Sequence, residues 1–173
     1  DNPQLQTLVH DVVDALVYAK TDPRVTAVHL ELSSLGGAGL SKLKQVAAAM
    51  TDFRESGKPL IASADFYSQQ AYYLAAHADE VYMHPEGLLF LEGFGSYRNY
   101  FAEAIEKLQL DWNVFKVGTH KSFVEPYTRM NMSPEDRAST SQLVDELWSM
   151  YKADVRLARD LIDGTVQSFS DDF

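Results

Sequence analysis

Lys121 is the residue of this chain whose neighbours best suit it to chemistry. It lies in Val117-Gly118-Thr119-His120-Lys121-Ser122-Phe123-Val124-Glu125-Pro126, just past a glycine that ends an expected strand. A lysine amine accepts a proton only when neutral, and its unperturbed pKa is about 10.4. Lowering that by roughly 3 units requires about 4 kcal/mol of preference for the neutral form. Burial away from water supplies such a preference. Spacing alone leaves two readings open, a solvated loop lysine and a general base. His120 bears on the choice, because a protonated imidazole there would depress the lysine pKa. Glu125 facing Lys121 would hold it charged; at helical spacing Glu125 would instead meet Arg129.

A second feature is Gly36-Gly37, in the turn Ser33-Ser34-Leu35-Gly36-Gly37-Ala38-Gly39. Paired glycines can expose backbone N–H groups as an oxyanion hole, although an ordinary strand-to-helix turn uses them as well. His10, His29, His77, His84 and His120 are scattered, without metal-ligand spacing such as His-Glu-x-x-His. No metal and no cofactor is expected. The Tyr72-Tyr73 pair and the Trp148–Tyr151 face read as core or oligomer packing.

The elements that must position these residues follow from periodicity. Leu5, Leu8, Val9, Val12, Val13 and Leu16 predict an amphipathic first helix, stopping near Thr21-Asp22-Pro23 because the residue before proline avoids helical geometry. Alternation predicts a strand over 25–32. The glycine turn follows, then a helix from Ser41 carrying Leu43, Val46, Ala47 and Met50. Gly57-Lys58-Pro59 ends that helix ahead of a strand over 60–64. A short helix over 68–77, a strand over 80–84 and an apolar stretch over 88–91 come next. Tyr97, Phe101, Ala104, Ile105 and Leu108 mark a further helix, and 112–117 is the strand leading to Gly118 and Lys121. Ser133 caps the last helix, with Pro134 in its first turn and Asp136 completing a capping box. Val144, Leu147, Trp148, Tyr151, Val155, Ala158 and Ile162 form its apolar stripe. Strands alternating with helices give the α/β class, a mainly parallel sheet with crossover helices.

The 173 residues fit a single α/β domain with a real core. A net charge of −10 excludes nucleic acid as a partner class, since phosphate binding needs clustered Lys and Arg. With no cysteine, disulfides and thiolate chemistry are excluded. No apolar run reaches the roughly 18 residues of a membrane span. The ends, Asp1-Asn2-Pro3 and Ser170-Asp171-Asp172-Phe173, read as cuts in something longer.

The Lys121 segment, followed by Met132-Ser133-Pro134-Glu135 and a long helix, resembles the lysine-bearing N-terminal domain of the long-form signal peptide peptidase A family, peptidase family S49. The resemblance runs from the first helix through Trp148 and Tyr151. It implies a Clp protease/crotonase-like fold and places Lys121 at the general-base position. The family's nucleophile stands in a Ser-Gly-Gly-Tyr pattern that opens a short helix running into an Ala-Asn or Ala-Asp pair. Counting back from Ala78-Asp79 puts Gln69 at the serine position, with Gln70 and Ala71 in place of the glycines. Ser68 is one residue away, turned by about 100° on a helix. The family's oxyanion turn resembles Asn-Ser-Pro-Gly-Gly; this chain keeps Gly36 and Gly37 as a vestigial version without the proline.

The resemblance further implies a serine–lysine peptidase that degrades remnant signal peptides. Its serine comes from a C-terminal protease domain of the same or a neighbouring subunit, in a homo-tetramer at the bacterial inner membrane, with the soluble domain on the periplasmic side. The fragment alone is then expected to be inactive. Two alternatives remain: a non-catalytic assembly or peptide-binding domain of the same fold, and a crotonase-type acyl-CoA enzyme, for which Glu31 is the one acid near the glycines.

Overall fold

Leu60, Ala62 and Ala64 are buried while Ile61 and Ser63 between them are half-buried, so the central strand presents one face to the core. The computed structural model describes residues 7–110 and 122–171. These fall into two compact units: Asp1–Gly93 with Met150–Phe173, and Phe94–Ser149.

In the first unit, β1 (Val28–Glu31), β2 (Leu60–Ala64) and β3 (Glu80–Met83) form a parallel sheet in the order β1-β2-β3. Val28 pairs with Leu60 and Ile61 with Glu80. Parallel neighbours need crossovers, which α2 (Leu40–Arg54) and α3 (Gln69–Ala75) supply. Leu43, Val46, Ala47, Met50 and Phe53 are the buried stripe of α2; their three- and four-residue spacing is what puts them on one helical face. Met50, Phe53, Leu60 and Ala62 are fully inaccessible. The opposite sheet face carries His29, Glu31, Ser63, Glu80 and Tyr82, and there His29 Nε2 lies 2.7 Å from Ser63 Oγ. The α/β class with parallel strands and crossover helices is therefore present.

The helix α1 (Val9–Thr21) packs on α2. It stops before Pro23, and the Lys58 ammonium donates to the carbonyls of Ala19 and Asp22, each at 2.7 Å, serving end-groups that no helical N–H reaches. Leu5 lies outside the described residues.

The second unit contains α4 (Ala102–Lys107), a 3-10 turn (Ser122–Val124), α5 (Glu125–Thr128) and the first part of α6 (Pro134–Arg159). The expected helix through Tyr97, Phe101 and Leu108 shrinks to α4. Tyr97 is fully exposed, and the Phe101 N–H donates to the Pro126 carbonyl at 2.6 Å, a bond a longer helix would have kept within itself. The expected strand over 112–117 lies outside the described residues.

In the first unit, α6 residues Tyr151 and Val155 are buried. The stripe does not continue to Ile162, which is exposed. The helix ends at Arg159 because Asp160 takes a positive φ of 51°, leaving Ile162 beyond it. The short α7 (Thr165–Asp171) follows. The apolar stretch 88–91 forms a single bridge, Tyr67 with Leu89.

Candidate functional site

Gln69 opens α3 and is buried. Its Oε1 accepts the Gly93 N–H at 2.8 Å and its Nε2 donates to the Gly93 carbonyl at 3.0 Å. Both polar ends of the amide thus pair with one backbone residue, much as a neighbouring strand would. Gly93 has a φ of +74°, a conformation that side chains disfavour. The Gln69 carbonyl accepts the Tyr151 hydroxyl at 3.0 Å. Burial raises the Tyr151 hydroxyl well above its ordinary pKa, which keeps it a donor.

Ser68 is the N-cap of α3. Its extended backbone (φ −69°, ψ 164°) turns Oγ onto the Ala71 N–H, at 3.2 Å. That is the ordinary work of a capping serine, and it accounts for the residue without a catalytic role.

Beyond α3, Asp79 Oδ2 accepts the Leu60 N–H at 2.9 Å and Oδ1 accepts Arg54 Nε at 2.6 Å. Burial raises the carboxyl, but the Leu60 N–H and the Arg54 guanidinium outweigh it and hold the pKa below the ordinary value. This ties the exit of α3 to the start of β2. Tyr73, fully buried, donates to Asp154 Oδ2 at 2.7 Å, and Lys44 reaches the same oxygen at 2.9 Å. Burial first, then Asp154, pushes the Tyr73 hydroxyl up. Tyr73 and Tyr151 are therefore core residues, their ring centroids 5.5 Å apart, while Tyr72 is half-buried.

Gly36 and Gly37 lie in the exposed turn after β1. Among the described residues, a Cβ built on either would meet nothing within 4 Å. Around them the Leu35 N–H donates to Leu32 O, the Ser33 N–H to Glu31 Oε1, and Ser33 Oγ accepts the Asp65 N–H. The hydroxyl and N–H of Ser33 hold the Glu31 carboxyl below its ordinary pKa. A cavity of about 360 Å³ opens at the carboxyl ends of the strands, lined by Glu31, Ser33, Ser63, Asp65, Tyr82 and His84 among others. Among the described residues no group of three or more acids or histidines is arranged to hold a metal ion.

Lys121 and His120 lie outside the described residues. Glu125 is 8% exposed. Its Oε2 accepts the Ser133 N–H at 3.0 Å and its Oε1 the Ser133 hydroxyl at 2.6 Å. Ser133 Oγ in turn accepts the Asp136 N–H at 3.1 Å, so Ser133 caps α6 as expected. The expected capping box does not close through Asp136, whose carboxylate is engaged by Arg98 at 3.0 Å. Glu125, eight residues before the cap, takes the acid's part. Arg129 Nε donates to the Asn131 carbonyl. Sequence reasoning missed the Glu125–Ser133 and Gln69–Gly93 pairs, and no local spacing would have disclosed either.

The family model described as peptidase family S49 matches residues 52–172. Protease 4 of Salmonella typhi is 39% identical over 141 residues, 82% of this chain and 23% of that protein. Protease 4 of Haemophilus influenzae is 39% identical over 151 residues, 87% of this chain and 25% of its own length. The chloroplastic serine protease SPPA of Arabidopsis thaliana is 26% identical over 133 residues, 77% of this chain and 20% of that protein. The chain thus spans no more than about a quarter of these relatives. Its small parallel sheet with crossover helices accords with a Clp protease/crotonase-like fold, and the chain belongs to peptidase family S49.

Proposed function

We propose that this chain is the lysine-bearing half of a serine–lysine peptidase whose nucleophile lies on a C-terminal domain of the same or a neighbouring subunit. In the whole protein, a homo-tetramer at the bacterial inner membrane with this domain on the periplasmic side, the substrates are remnant signal peptides. Neutral Lys121 takes the proton of the serine hydroxyl as oxygen attacks the scissile carbonyl. It then returns a proton to the leaving amine, and water completes the acyl transfer. Among the described residues no helix is long and apolar enough to cross a membrane.

The observation that carries the reading is Gln69. Where the family resemblance calls for a nucleophile stands an amide with no nucleophilic oxygen, both ends bonded to the Gly93 backbone. The neighbouring hydroxyl, Ser68, is engaged as a helix cap. A family member with this local structure contributes something other than the nucleophile, and Lys121 is the residue of the matching segment able to act as a base.

The test is Lys121→Ala in the full-length protein, assayed on a fluorogenic peptide with assembly followed by light scattering. Turnover should fall to background while assembly persists. Retained turnover favours the assembly or peptide-binding reading and sinks the base assignment.

A further inference from the structure

Residues 94–98 run beside α6 and are held to it at both ends. The Phe94 ring meets the Trp148 ring edge-on, with centroids 6.3 Å apart, and the Arg98 guanidinium donates to Asp136 Oδ2 at 3.0 Å. Between these two fastenings the facing side chains are short: Ser96 on one side, Thr140 and Ser141 on the helix. They leave a gap unfilled, a cavity of about 390 Å³ within one compact unit. Arg137, Thr140, Ser141, Val144 and Asp145 form its helical wall, at the three- and four-residue spacing of one helix face. Met132 adds a second apolar side chain. Arg137 and Asp145 mark the two ends of that wall, about 12 Å apart on a helix rising 1.5 Å per residue, too far to pair with each other. Among the described residues neither forms an ion pair.

We infer that this groove binds a short free peptide of about three residues, its C-terminal carboxylate on Arg137 and its N-terminal ammonium towards Asp145. Length and charge together select that class. An extended chain covers at most about 3.3–3.6 Å per residue, so three residues nearly span the interval between the two charges and the side chains close the remainder. A guanidinium takes a carboxylate through two parallel N–H donors. The hydroxyls of Ser96, Thr140 and Ser141 each donate and accept, which suits the amide groups in between, while Met132 and Val144 suit a small apolar side chain. A single amino acid carries its charges too close together to reach both ends. The volume sits at the lower end of the roughly 300–1,000 Å³ of small-molecule sites, too small for a dinucleotide or a folded partner. Peptides of this size are what peptide hydrolysis releases, so a member of a peptidase family meets such a ligand. The inference does not rest on Lys121 acting as a base.

The experiment titrates the purified 173-residue chain by calorimetry with the tripeptide alanyl-valyl-alanine, its C-amidated and N-acetylated forms, and free valine. The free tripeptide should bind saturably, and C-amidation or Arg137→Gln should each weaken it by about 5- to 10-fold. The two losses should not add, because both remove the same contact: Arg137→Gln should leave the affinity for the amidated peptide unchanged. N-acetylation and Asp145→Asn form the matching pair at the other end. Both side chains are exposed, so the variants should fold, and an unchanged melting temperature checks that. Should a variant fail to fold, the modified peptides on the parent chain carry the test alone. No saturation up to about 10 mM tripeptide overturns the inference. So do equal affinities for the free and the blocked peptides, losses that add in full, or valine binding as tightly as the tripeptide.

Discussion

An amide that bonds a backbone N–H and C=O of one residue leaves two buried groups stranded when it is cut away. Gln69→Ala strands the N–H and carbonyl of Gly93, so a loss of about 1–3 kcal/mol is expected, measured by urea denaturation of this chain. Gln69→Ser should cost a similar amount and confer no hydrolysis, because a serine hydroxyl cannot span both Gly93 groups. An unchanged midpoint in either variant would show that the pair contributes nothing. Asp79 carries a pH signature. Its folded pKa lies below the ordinary value, so its stabilisation is present above the unfolded pKa of about 3.9 and is lost as pH falls through the folded value. Asp79→Asn should flatten that acid limb below about pH 4, while the Arg54 bond, partly exposed on both sides, adds little by itself. A denaturation midpoint whose acid slope is the same in both proteins would discount Asp79.

At the scale of elements, α2 is the central support of the first unit. Its stripe packs on α1, on α3 and on the β2 strand, and Phe53 is completely inaccessible at its end. Phe53→Ala removes a buried ring and leaves a cavity, so it should destabilise by about 3–5 kcal/mol; a change under about 1 kcal/mol would mean the site collapses to fill itself. The turn before α2 behaves differently. Neither Gly36 nor Gly37 has a positive φ or, among the described residues, a neighbour that a Cβ would strike. Gly36→Ala and Gly37→Ala should therefore leave the melting temperature unchanged or raise it slightly. The fold does not require glycine at these positions.

At the scale of the whole molecule, the proposed half-site reading places the nucleophile outside these 173 residues. The chain spans 23% and 25% of two bacterial relatives, and the hydroxyl next to the expected nucleophile position is a helix cap. The purified chain should show no peptide hydrolysis, and Ser68→Ala should alter only its stability, by about 1 kcal/mol through the lost cap. Hydrolysis by the isolated chain that disappears in Ser68→Ala would make this a self-contained enzyme. Coenzyme A should not bind, and a calorimetric titration that detected binding would revive the acyl-CoA alternative.

What the sequence alone determined is what short-range periodicity can encode. The stripe of α2, the alternation in Leu60–Ala64, the stop before Pro23 and the Ser133 cap all depend on neighbours within about four residues, and each was legible. The α/β class followed from their alternation, and the family from the Lys121 segment. Tertiary structure decided the rest. The Gln69–Gly93 pair joins residues 24 apart, the Tyr151 bond to Gln69 joins residues 82 apart, and Glu125 reaches its cap from eight residues away. The helix expected through Tyr97 failed for the same reason: the Phe101 N–H found its acceptor at Pro126. Local spacing says which groups need partners, but only the folded chain brings distant partners within bonding distance.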